Sequence, residues 1–240
     1  RSLMTWSIIA RDEATGRVGI IAASRFFAIG AVVPYIKTGV GAVATQAFIN
    51  PYYGPRGLAL LEAGLSAQDA VNTLTAEDDG REHRQVHVMD REGRFAAFTG
   101  AACIGWCGHE IRPNLSVAGN ILAGPGVIEA TIAYFEANLD QPFARRLIGA
   151  MQAGEAAGGD SRGKQSAALL IHDQEEYPLL DIRVDDHPDP LKELARLEVV
   201  ARQRWVHFRR LMPSKANPSG LADQPDLEDR IAASIAEGYE

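Results

Sequence analysis

The elements legible in this sequence come in blocks, strands with strands and helices with helices, and that order is its strongest constraint on fold. "TWSIIA" and "RVGIIAA" are β-branched apolar runs on either side of "RDEATG", a hairpin pattern with Gly16 in the turn. "YIKTGVGAVATQ" reads as a second strand pair, bent at Gly39 and Gly41. The pattern then turns helical. "RGLALLEAG" has Pro55 for its first turn and Gly64 for its end. "LSAQDAVNTLTAED" has Ser66 as its cap, with Asp69 completing the capping box. Strands return in "RQVHVMD" and "RFAAFTG", joined through "REG", and in "NLSVAGN". Two further helices, "PGVIEATIAYFEANL" and "PFARRLIGAMQAG", precede a Gly-rich loop, "GEAAGGDSRGKQ", and a last strand pair, "SAALLIH" and "LLDIRVDD". Alternating βαβ units would predict a parallel sheet, whereas hairpin-linked blocks predict antiparallel sheets with segregated helices. The predicted fold class is α+β: a four-layer αββα sandwich, two stacked antiparallel sheets flanked by helices.

The character changes at the ends. Arg1-Ser2-Leu3 reads as a cloning remnant and Met4 as an initiator, so residues 1–4 stand apart from the domain at 5–185. From Asp186, "DHPDPLKELARLEVVARQRWVHFRRL" reads as one long amphipathic helix entered through Pro188 and Pro190. A Pro- and Ser-rich linker and a short helix, "LEDRIAASIAEGYE", complete a helical C-terminal appendage, 186–240, expected to pack on the core or on a partner subunit, the core being the favoured of the two.

Composition removes several classes of function. With 24 basic against 31 acidic residues the net charge is −7, the wrong sign for a general nucleic-acid surface. No run approaches the roughly 20 apolar residues of a membrane helix, and the start lacks the basic-then-apolar pattern of a signal peptide. Two cysteines, Cys103 and Cys107, are too few for a secreted disulfide scaffold. The expectation is a reduced, cytoplasmic protein that binds neither nucleic acid nor membrane.

Three motifs invite chemistry. "GGDSRGKQS" nearly spells a phosphate-binding loop, but Gln165 stands where a magnesium-binding hydroxyl belongs. A helix also precedes this loop and a strand follows it, the reverse of a P-loop. Its Asp160, Ser161, Arg162 and Lys164 read equally as a substrate-pocket rim or a solvated connection. "GVGAVA" fits a dinucleotide fingerprint, but no helix opens after it. "CIGWCGH" has Cys103, Cys107 and His109 without the second ligand pair of a structural zinc site, so reduced cysteines near Trp106 are expected and no cofactor or metal is implied.

That leaves Thr5. A Thr hydroxyl needs an adjacent base. Were Met4 removed, the α-amine of Thr5 itself would supply one, with an ordinary pKa of about 7.7–8.0, suited to proton transfer near neutrality. While Met4 caps it, that amine is a peptide nitrogen and this chemistry is blocked.

Together, "MTWSIIARDEATGRVGIIAASRF", "GVGAVATQAFINPYYGPRGLALLEAG", "TGAACIGW", "VAGNILAGP" and "GEAAGGDSRGKQSAALLI" resemble the DUF1028 family of bacterial and archaeal proteins, over residues 4–185. That family is placed with the N-terminal nucleophile (Ntn) hydrolase fold, so the resemblance implies the sandwich already read from element order. It also implies an amidohydrolase in which Thr5 attacks a small amide or peptide-like substrate. The alternative is a non-catalytic binding or assembly protein on the same scaffold, with a homo-oligomer left open. By the resemblance, Thr5 takes the nucleophile position and Lys37 that of an assisting lysine. Thr45, Gln46 or Asn120 would supply oxyanion donors, and Ser24, Arg25, Asp160, Arg162 and Lys164 would line the substrate site. Proteasome-like members of the superfamily carry an acidic residue just before Ser-Arg; here Ala23 precedes Ser24 and Arg25, which removes a carboxylate from the nucleophile's surroundings.

Overall fold

Strand β1 (Trp6–Arg11) alternates strictly. Trp6, Ile8 and Ala10 enter one apolar cluster and Ile9 another, because successive side chains leave a strand on opposite faces. The computed structural model describes residues 5–221 and 226–238. From β1 the chain runs through β2 (Val18–Ser24), β3 (Pro34–Lys37), β4 (Gly41–Ala47), α1 (Tyr53–Glu62), α2 (Ala67–Ala76), β5 (Arg84–Asp90) and β6 (Phe95–Thr99). It continues through β7 (Trp106–Arg112), β8 (Leu115–Leu122), α3 (Gly126–Ala137), α4 (Phe143–Ala156), β9 (Ser166–His172) and β10 (Leu180–Val184). Helices α5 (Pro190–Gln203), α6 (Trp205–Arg209) and α7 (Leu227–Ala236) follow.

All strand pairs are antiparallel. The larger sheet has the order β10-β9-β2-β1-β8-β7 and the smaller β3-β4-β5-β6. The larger sheet buries Trp6, Ile8, Ile21 and Val117 against Ile128 and Phe135 of α3 and Leu147 and Met151 of α4. The smaller sheet buries Val43, Val86 and Val88 against Leu61 of α1 and Val71 and Leu74 of α2. Between the sheets lie Ile9, Ile20, Ala22, Ala42, Ala44 and Met89. Both sheets therefore bury side chains on two faces, and each fully buried aliphatic side chain contributes about 1.5–3 kcal/mol.

The local signals act where the sequence places them. Gly16 and Gly39 turn their hairpins with φ of 75° and 74°, conformations that L side chains rarely adopt. Ser66 Oγ accepts from Asp69 N at 3.1 Å and donates to the Asp69 carboxylate at 2.6 Å, closing the start of α2.

Two elements differ from the sequence reading. β7 is a strand, although "WCGHEIR" has neither alternation nor an apolar run. It is an edge strand whose extended state comes from pairing with β8. The long C-terminal helix is two helices, interrupted at Arg204, whose φ of −147° lies outside the helical region. Beyond the break, Trp205 turns its indole N–H to Leu179 O at 3.1 Å, and His207 bonds Ser234 of α7 at 2.9 Å. Leu191 and Leu194, which the sequence assigns to the C-terminal appendage, lie in the core cluster under the larger sheet. The reading of residues 1–4 falls outside the described residues. Among the described residues no helix is long and apolar enough to cross a membrane.

Candidate functional site

Pairing of Trp6 with Ala23 sets the residue before β1 opposite Ser24 at the end of β2. Thr5 occupies that position, fully buried, and its hydroxyl donates to Ser24 Oγ at 3.3 Å. Its carbonyl accepts three N–H groups: the Asn120 backbone at 3.2 Å, Asn120 Nδ2 at 3.1 Å and Gln46 Nε2 at 3.3 Å. The two sheets thus meet at Thr5, β4 supplying Gln46 and β8 supplying Asn120.

Behind Thr5 the intersheet layer is polar, and its hydrogen bonds have one direction. Gln85 Nε2 donates to the carbonyls of Gly108 (3.0 Å) and Gly119 (2.9 Å), so Gln85 Oε1 must face the other way. There it accepts from Gln46 Nε2 at 2.7 Å and Asn120 Nδ2 at 3.0 Å. Gln46 Oε1 accepts the Ser7 hydroxyl at 2.5 Å. With its proton committed to Gln46, Ser7 Oγ can only accept from His87 Nε2, at 2.9 Å. His87 Nδ1 then accepts from Ser116 Oγ at 2.9 Å. Burial holds the His87 imidazole far below its usual range, at about 3, with His109 adding to the effect, so it stays neutral as the Nε2-protonated tautomer.

Two consequences bear on chemistry. Ser7 and His87 are within hydrogen-bond reach, but the Ser7 proton is given to Gln46 and His87 Nε2 donates to Ser7 Oγ, so the imidazole is not placed to act as base on that hydroxyl. Both protons of Asn120 Nδ2 are engaged, on Thr5 O and Gln85 Oε1, and Gln46 Nε2 faces three acceptors with two protons. These side-chain amides hold the Thr5 carbonyl; neither offers a spare N–H to an oxyanion.

The Gly-rich loop after α4 comes to the same place. Gln165 N donates to Ser24 O at 3.0 Å, and the buried Asp160 carboxylate accepts from Arg25 N at 2.8 Å and Arg162 N at 2.7 Å. Arg162 also pairs with Asp160 through its guanidinium, and Lys164 with Glu155 at 2.7 Å and Asp189 at 3.4 Å. Ser24, Arg25 and Asp160 are therefore gathered beside Thr5, with Arg162 and Lys164 in ion pairs around them.

Lys37 and Thr45 are not brought there. Thr45 shares the face of Val43, toward α1 and α2, and its hydroxyl donates to Asn50 O at 3.3 Å. Lys37 pairs with Gly41, five residues before Gln46 and hence about 16 Å along the strand at ~3.3 Å per residue. Its ammonium is held by Glu62 at 2.6 Å. One residue of register decides the case of Thr45, because neighbours on a strand face opposite sides, and position along the strand decides that of Lys37.

Asn120 also lines a cavity of about 300 Å³ with Ala47, Phe48, His83, Ala102, Cys103 and Ile104. The sequence reading missed it, apart from the segment "CIGW". Burial raises the Cys103 thiol to about 11, so it remains protonated, and it donates to Arg84 O at 3.4 Å. Among the described residues no three His, Cys, Asp or Glu side chains gather as a metal site.

Over residues 5–194 the chain matches the family model of DUF1028, a family of unknown function. Protein SPO2555 from Silicibacter pomeroyi, a DUF1028 crystal structure, is similar throughout: 32% of residues are identical, 92% of this chain and 100% of that chain are covered, and the TM-score is 0.85. The Anbu (ancestral beta-subunit) from Yersinia bercovieri is a distant neighbour at 10% identity, covering 82% of this chain and 97% of that one with a TM-score of 0.39. No curated protein matches the chain.

Proposed function

The chain belongs to the DUF1028 family, and from that premise we propose that it is an Ntn-type amidohydrolase built on a four-layer αββα sandwich. In this reading Thr5 is the nucleophile once the Met4–Thr5 bond is cleaved. The observation that carries the reading is the fixing of Thr5 at the head of a central strand, its carbonyl held by three N–H groups and its hydroxyl bonded to Ser24. An N-terminal nucleophile must be its own base, and so needs a backbone that cannot swing. Helices on the outer faces of two facing sheets supply that rigidity.

Thr5 Oγ attacks the substrate carbonyl carbon while its proton passes to the freed α-amine. The tetrahedral adduct collapses, the C–N bond breaks, and the leaving amine takes that proton from the ammonium. Water then attacks the Thr5 ester with the same amine as base, releasing the acid and restoring the hydroxyl. Asn120 and Gln46 are positioning residues that set the Thr5 main chain; Ser24 accepts the hydroxyl in the resting state. Arg25 and the loop around Asp160 close the side nearest β9.

The test is intact mass after expression from Met4, before and after treatment with a β-lactone, with Thr5→Ala in parallel. Loss of the methionyl residue together with one adduct absent from Thr5→Ala is the expected result. Retained Met, or labelling indifferent to Thr5, would replace this reading with a binding protein on the same scaffold. The commitment of the Gln46 and Asn120 amides to internal bonds favours that second reading.

A further inference from the structure

The cavity at Asn120 carries information about what occupies the site. Three observations converge there. The first is its lining: Ala47, Phe48, Ala102, Cys103 and Ile104 are apolar or small, and Phe48 and Ile104 remain 67% and 56% exposed. Exposed large apolar side chains on a cavity wall are surface a ligand can cover. Arg84 fixes Phe48, its guanidinium lying 5.1 Å above the ring and its Nη1 donating to Phe48 O at 2.7 Å.

The second is an orphan acceptor. Asn120 is 1% exposed and its Oδ1 has no hydrogen-bond partner, while Nδ2 is fully committed. The orientation is not free to flip, since Nδ2 faces two acceptor oxygens. A buried amide oxygen without a donor is a cost the fold does not need to bear unless something supplies that donor.

The third is backbone strain. Among the described residues four non-glycines have positive φ, and two flank this spot: Ala47 at 67° in the wall and Ile121 at 50° beside Asn120. A β-branched residue in that region is a strong outlier, and such strain gathers where a site must hold its shape.

We propose that this cavity is the substrate-recognition pocket. It takes an uncharged apolar or aromatic group while an amide N–H next to that group donates to Asn120 Oδ1. The substrate class is thus a secondary amide bearing an apolar group. Which bond is cut rests on the Thr5 reading, but binding in the cavity does not. The volume of about 300 Å³ is at the small end of ligand sites, matching one apolar group rather than an extended peptide. Cys103 stays protonated and His83, the other titratable side chain of the lining, is solvent-exposed, so an anionic side chain placed against Ala47, Cys103 and Asn120 would lose its water without a buried counter-charge.

Binding is measured on the Thr5→Ala chain, which cannot turn over, by ¹⁵N NMR of the Asn120 side-chain amide. The probes are N-acetyl-phenylalanine methylamide, its analogue with the acetamido N–H replaced by an ester oxygen, and N-acetyl-glutamate methylamide. Saturable millimolar binding of the first is expected, with shifts at Asn120. The ester should bind about fivefold to tenfold more weakly for the loss of one neutral hydrogen bond, and the glutamate should not saturate. Ala102→Trp, at an exposed rim position, should fill the cavity and abolish binding with the fold intact. No saturable binding, equal binding of amide and ester, or indifference to Ala102→Trp would overturn the proposal. Binding to Thr5→Ala with no turnover by the Thr5 enzyme would refute the nucleophile and leave the pocket. Turnover of apolar and charged amides alike, unaffected by Ala102→Trp, would do the reverse.

Discussion

Acidification should destabilise this protein through His87 before its carboxylates matter. The imidazole sits neutral between the sheets with both nitrogens bonded to hydroxyls, and burial depresses it to about 3. In the unfolded chain it returns to about 6.5. Above that value both states are neutral and pH has no effect through this group. Below it the unfolded chain takes up a proton that the folded protein refuses, so stability falls with decreasing pH and the loss is complete only near the folded value. One proton gives about 1.36 kcal/mol per pH unit, hence about 2 kcal/mol by about pH 5 and about 3.4 kcal/mol by about pH 4. Against the roughly 5–15 kcal/mol of an ordinary domain, that is a large share. The assay is urea unfolding followed by Trp fluorescence at about pH 7.5, 6 and 5, for the wild type and for His87→Gln, which cannot titrate. His109 and His172 are also pushed down by burial, with the same sign, but they are common to both chains. The wild type should lose about 2 kcal/mol more than His87→Gln across that range. Parallel losses would refute the neutral, buried imidazole.

Three further outcomes follow from the packing. Ser7→Ala leaves Gln46 Oε1 and the His87 Nε2–H unpaired in a fully buried layer and should cost about 2–5 kcal/mol in chemical denaturation; a cost under about 1 kcal/mol would contradict the directed network. Arg146 pairs with Asp12 at 2.5 Å beneath the rings of Phe135 and Phe143, so Arg146→Leu strands a buried carboxylate and should cost about 3 kcal/mol near neutrality. Burial raises the Asp12 carboxyl, but hydrogen bonds from Thr15 and Arg146 outweigh it and the net direction is down. Stability from Asp12 is therefore present above its unfolded pKa and lost as pH falls through the folded one, so the Arg146→Leu deficit should shrink in acid. Gly154→Ala would place a methyl against Thr131 Oγ1 on the neighbouring helix α3 and should lower stability by about 1–3 kcal/mol with circular dichroism unchanged.

Thr5 was identifiable as a candidate because its chemistry is local, a hydroxyl and an amine on one residue. Its partners were not equally legible. Thr45 and Gln46 are neighbours with the same claim on paper, yet only Gln46 faces Thr5, because strand parity is set by which face meets the other sheet. Lys37 had the right chain distance and the wrong end of its strand. Ser7 and His87 sit 80 positions apart, and nothing in "TWSIIA" or "RQVHVMD" reveals that they bond. Strand β7 left no signal because an edge strand half in solvent needs no apolar period.

Hairpin turns, capping boxes and the period of apolar residues are interactions among near neighbours, and they determined the block order of the elements and hence two antiparallel sheets with separate helices. Tertiary structure decided the rest: which polar side chains share the layer between the sheets, which way their protons point, and where a buried oxygen is left without a donor. Those depend on register and sheet stacking between residues far apart in the chain, where a shift of one position exchanges inside for outside.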